Sequence, residues 1–83
     1  MEMFELKETI FLMVSDDYKE RFKAEYYQTK IRYDKLRGMV DKWETLGFTP
    51  TCPKDIYLAQ LDAMRSYLAI LKLRAVKEDI ELK

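Results

Sequence analysis

Between residues 18 and 37, rings and cations alternate: Tyr18, Arg21, Phe22, Tyr26, Tyr27, Lys30, Arg32, Tyr33, Lys35 and Arg37. A nucleotide needs both chemistries, a flat ring on which its base stacks and N–H donors for its phosphates. Tyr26 and Lys30 are four apart, as are Tyr33 and Arg37, so each pair shares one face of a helix. A second candidate is Phe48-Thr49-Pro50-Thr51-Cys52-Pro53, which offers hydroxyls, a thiol and free amides just before a helix. Each feature also has a plain structural reading. Phe22, Tyr26 and Tyr33 fit the apolar core of a helix pair, Tyr18, Arg21, Tyr27, Lys30 and Arg32 lie off that seam and fit a solvated flank, and the turn fits a rigid connection.

Catalytic chemistry is hard to assemble from these residues. The chain has no histidine to act as a general base, and no glycine-rich phosphate loop. Cys52 is the sole cysteine and has no neighbouring base to activate its thiol. Asp16 with Asp17, and Glu78 with Asp79, are adjacent and so diverge around a helix. No catalytic residue, metal ligand set or cofactor is expected.

The elements that must carry these residues follow from apolar spacing. Phe22, Tyr26, Thr29, Tyr33, Leu36, Val40 and Trp43 recur at alternating intervals of four and three, as do Tyr57, Leu61, Met64, Leu68, Leu71 and Ala75. Each set lies on one side of a helix, and the proline-containing break between them predicts an antiparallel hairpin. Trp43 should then face Tyr57, Leu36 should face Met64, Tyr33 should face Leu68 and Tyr26 should face Ala75. The spacing predicts a short helix over about 3–14, a long one over about 16–46, a turn at 47–53 and a second long helix over about 53–81. Ser15-Asp16-Asp17 supplies N-cap chemistry, and Gly47 is expected to cap the first long helix in the left-handed conformation. Gly38 would permit the close approach of a neighbouring helix. The hairpin register also brings Lys19, Arg21 and Lys23 toward Glu78 and Glu81.

Composition bounds the partners. An 83-residue chain makes one small domain, whose single core supplies only ~3–5 kcal/mol. With one cysteine and no histidine, neither a disulfide nor a zinc site can reinforce it. A second stripe on the last helix, Ala69, Leu73, Val76 and Ile80, exceeds what one hairpin can cover. Homo-oligomerisation, as a dimer or a higher assembly, is therefore expected. Fifteen basic residues balance fifteen acidic ones, which argues against long nucleic acid as partner. No apolar run approaches the ~18–20 residues of a membrane span.

Beyond these readings, Ser15-Asp16-Asp17-Tyr18-Lys19-Glu20-Arg21-Phe22-Lys23-Ala24-Glu25-Tyr26, Lys30-Ile31-Arg32-Tyr33, the 48–53 turn and Gln60-Leu61-Asp62-Ala63-Met64-Arg65-Ser66-Tyr67-Leu68 resemble a family of small phage and prophage proteins labelled crAssphage-related. The last of these runs, extended through Ile70 and Leu71, is also similar to the helical hairpin of phage anti-CBASS and anti-Thoeris sponge proteins. Those are small oligomers that sequester cyclic nucleotide or cyclic ADP-ribose immune signals without cleaving them. The resemblance implies an all-α, homo-oligomeric binding protein acting in the cytoplasm of a bacterial host. Arg21, Lys30 and Arg32 would then hold phosphates, Tyr18 and Tyr26 would stack on bases, and Thr49 and Thr51 would contribute from the turn. Tyr18 and that turn sit at opposite ends of a helix ~45 Å long, so one pocket could use both only across subunits. The rival expectation is a structural module whose apolar faces bind a host or phage protein.

Overall fold

The computed structural model describes residues 5–82, so Met3 and Phe4 of the expected first helix lie outside the described residues. Every described element is helical. A 3-10 turn, Leu6–Thr9, runs into the short helix α1, Ile10–Met13. The two long helices are α2, Tyr18–Asp41, and α3, Lys54–Lys77. They lie antiparallel, since Trp43 stacks on Tyr57 at one end (ring centroids 6.0 Å apart) and Tyr18 bonds Glu78 at the other.

The alternating spacing identifies the seam. Of its thirteen residues none is exposed; Phe22, Tyr26, Val40, Leu61, Leu68, Leu71 and Ala75 are buried, and the rest are half-buried. Leu71 is wholly buried at the centre of a cluster with Phe22, Tyr26, Tyr27, Leu68, Ala75 and Ile80. At ~25 cal/mol per Å2 of apolar surface, this burial is the main force holding the two helices together.

Helix ends are set by local hydrogen bonds. The Asp17 carboxylate caps α2 by accepting from the Lys19 amide at 3.0 Å, while Ser15 Oγ accepts from the Asp17 amide at 3.0 Å. The other end of α2 departs from expectation. The helix stops at Asp41, a 3-10 turn covers Trp43–Thr45, and the Thr45 hydroxyl donates to the Lys42 carbonyl at 3.1 Å. That side-chain bond competes with the helical pattern. Gly47 therefore caps nothing, and neither glycine has a positive φ. A Cβ built on Gly38 would meet nothing within 4 Å, so no helix within the protomer approaches it closely.

The helix α3 ends four residues before the expected 81. Asp79 adopts φ 58°, the Ile80 amide donates to the Ala75 carbonyl at 2.8 Å, and the Asp79 amide donates to Val76 at 3.4 Å. This Schellman arrangement folds Ile80 back into the core, where it is buried. Ile80 thus leaves the outer stripe on which the spacing placed it.

The segment holding α1 packs on α2. Its anchor is Thr9, fully buried, whose hydroxyl donates to the Leu6 carbonyl at 2.7 Å and accepts from Gln28 Nε2 at 2.9 Å. Because α1 is spent on α2, the outer face of α3 stays bare: Ile70, Leu73 and Val76 are all exposed.

Candidate functional site

The groove between α2 and α3 gathers rings and cations from both helices. One wall carries Tyr26, Lys30 and Tyr33, spaced four and three apart on α2; the other carries Arg65, Leu68, Ala69 and Lys72 on α3. Both sets are stripes of a 3.6-residue helix, placed at the edge of the seam that holds the helices together. The hollow is about 250 Å3, and a second one of about 390 Å3 shares Tyr26 and Lys72 with it and is otherwise bounded by Ala75, Val76, Ile80 and Leu82.

Three cations therefore converge on a floor of aromatic and aliphatic carbon. Lys30 Nζ lies 2.8 Å from both Asp34 carboxylate oxygens, an ion pair with both side chains about half exposed. Arg65 pairs with Asp62 one turn back. Such exposed pairs contribute little to stability, so a phosphate can displace them at small cost. The Tyr33 hydroxyl accepts from Arg37 Nη1 at 3.2 Å, and Arg37 Nε lies 3.2 Å from Asp41. The Asp41 bond, followed by that from Tyr33, holds the Arg37 guanidinium above its ordinary pKa. Tyr26 meets the neighbouring Tyr27 edge to face, with ring centroids 5.7 Å apart.

The residues singled out by sequence separate into five places. Tyr26 and Lys30 line the groove. Tyr18 and Arg21 belong to a clasp at the far end. The Tyr18 hydroxyl donates to Glu78 Oε1 at 2.8 Å and accepts from Arg74 Nη2 at 2.6 Å, while Arg21 Nη1 donates to the Ser15 carbonyl at 2.8 Å. Arg74 also stacks over the Phe22 ring at 4.7 Å. Thr49 and Thr51 line a hollow of about 420 Å3 at the turn, with Trp43, Phe48 and Cys52. Arg32 is exposed and, two residues from Lys30, projects about 200° further round the helix, across the seam from the groove. Tyr27, which the spacing places off the seam, is buried and joins the core cluster beside Tyr26.

The register's charge expectation is met only in part. Lys19 Nζ reaches the Asp79 carbonyl at 3.2 Å, whereas Glu78 takes Arg74 and Tyr18 as partners. Arg65 and Lys72 are the groove residues that sequence reasoning passed over. The available signal was their position, each four residues beyond a seam leucine, Leu61 and Leu68, and hence at the seam's edge. Among the described residues no cluster of His, Cys, Asp and Glu could hold a metal ion, and no helix is long and apolar enough to cross a membrane.

Fold and groove together define a small all-α hairpin protein with a ring-and-cation cleft along the joint between its long helices. The Sequestin family model matches residues 16–77, most of the chain, and the protein belongs to that family. No curated protein and no solved structure matches it.

Proposed function

We propose that the protein is a non-catalytic sponge, encoded by a phage, that sequesters a nucleotide immune messenger of the cyclic nucleotide or cyclic ADP-ribose class. One observation carries the reading: Lys30, Arg65 and Lys72 converge beside Tyr26 and Tyr33 in one groove. The cations supply charge-assisted donors for phosphates, the half-buried Tyr33 ring meets the base or ribose, and Tyr26, buried in the core, forms part of the floor beneath. The family name is that of a sequestering protein, and the resemblance to the sponge hairpin points the same way. A chain without histidine offers little to cleave what it holds. Tyr18, Arg21, Arg32, Thr49 and Thr51 enter this reading only through a neighbouring copy, because the protomer holds them away from the groove. The setting is the cytoplasm of the infected bacterium, where CBASS and Thoeris messengers are made.

A capture-and-release experiment tests it. Protein mixed with a messenger should remove it from solution, and heating the complex should return the same compound intact. Recovery of a cleaved product would make the protein an enzyme and end the sponge reading.

A second reading, a module that binds a host or phage protein, is favoured by the apolar surface of α1. Phe11 is 82% exposed, beside exposed Ile10 and Val14. It predicts capture of a protein partner with no small molecule bound.

A further inference from the structure

The outer face of α3 carries a further stripe of small and apolar residues at heptad spacing: Ile56, Ala59, Ala63, Ser66, Ile70 and Leu73. All six are exposed, and Ile56 and Ile70 each leave about half of their surface open. Neither α1 nor α2 reaches this face, since α2 takes the opposite side of α3 and α1 lies on α2. Such a stripe is a seam without a second helix.

We infer that a second copy of this chain docks there, with the two α3 helices antiparallel about a two-fold axis between Met64 and Arg65. Two features of the stripe select a copy over an unrelated partner. The first is size. In the antiparallel register Ala63 meets the second copy's Ser66, Ala59 meets its Ile70, and Ile56 meets its Leu73. Small residues at the centre let the backbones approach, a turn further out small Ala59 faces large Ile70, and at the ends Ile56 packs on Leu73, so the face is complementary to itself. The second is charge. On the amino-terminal side of the axis, Lys54, Asp55 and Asp62 leave α3 one negative charge, whereas on the carboxy-terminal side Arg65, Lys72, Arg74 and Lys77 give it four positive ones. Antiparallel pairing sets the net-negative side of each copy against the net-positive side of the other, while parallel pairing sets the two positive sides together.

The pairing has a consequence for the groove. Arg65, Ala69 and Lys72 sit on one flank of the stripe, and a two-fold axis across antiparallel helices puts that flank of both copies on the same face. The two grooves then open side by side about the axis, and their six cations form one surface. This deepens the assembly part of the function proposed above and does not depend on which ligand is held.

Cross-linking between differently marked chains tests the register. In a Cys52→Ser background, one chain carries Ala59→Cys and the other Ile70→Cys. Mixed and oxidised, they should form the mixed disulfide well above either self-linked product. Ile70→Glu, at an exposed position, should halve the sedimenting mass from twice 10.0 kDa while leaving helical circular dichroism unchanged. Should Ile70→Glu disturb folding, Ser66→Arg serves the same purpose. A monomeric parent protein, self-linked chains in excess, or an assembly mass unaffected by these substitutions would each overturn the pairing. Ligand capture by a protein whose assembly uses another face would overturn this inference alone.

Discussion

At the residue scale, one phenol shows how chemistry legible in a sequence can be spent on structure. Tyr18 is a flank ring by its spacing, yet its hydroxyl joins Glu78 and Arg74 across the hairpin. The bond to Glu78 raises the Tyr18 phenol above its ordinary value of 10.0. The same bond, with help from Arg74, holds the Glu78 carboxyl below its ordinary 4.5. The signs follow by linkage. Stability from Glu78 is complete above the ordinary carboxylate range and is lost as pH falls through the lowered value. Stability from Tyr18 is complete below pH 10 and is lost as pH rises through the raised value. Tyr18→Phe should therefore move the Glu78 titration upward in NMR, leaving Arg74 as its remaining partner. An unmoved Glu78 titration would show that the clasp does not form in solution. Tyr26 and Lys30 met the opposite fate and line the groove. Ring-and-cation spacing marks both sites alike, because it records a helix face and carries no information about which face of the partner helix lies opposite. Arg65 and Lys72 went unmarked for that same reason: their role comes from α2 across the groove.

At the scale of elements, the seam was readable and the ends were not. Alternation of three and four found all thirteen seam residues, because burial is periodic and a single change of face would show. Helix ends depend on individual hydrogen bonds. Gly47 carried the usual stop signal, yet α2 had already turned at Asp41, under the Thr45 side-chain bond. Asp79, a residue less often found at positive φ than glycine, took the left-handed position that closes α3. Gly38 gives a clean test of the elements. It lies inside α2 and an added Cβ would meet nothing within 4 Å, so Gly38→Ala should stabilise the fold by about 0.5–1 kcal/mol. For a domain of this size each kcal/mol raises Tm by about 4–8 °C. A lowered Tm would mean that another chain approaches Gly38 in the assembly.

At the scale of the whole molecule, a hairpin of 42 × 24 × 22 Å divides its surfaces between three tasks. One side of α3 packs on α2, the side opposite carries the exposed stripe, and the edge between them supplies half of the groove. The excess of apolar residues over what one hairpin covers was legible in the sequence. The covered surface was not, because spacing alone left α1 free to lie on either long helix.

Thermal melting with a panel of cyclic dinucleotides, cyclic trinucleotides and ADP-ribose isomers tests the groove most directly. At 100 times its Kd the cognate compound should add ~2.7 kcal/mol of stability. Arg65→Glu and Lys72→Glu should each abolish that gain while leaving the unliganded protein as stable as before. If every compound leaves the melting curve where it was, or if the gain survives both charge reversals, the groove between the long helices is not where a nucleotide is held.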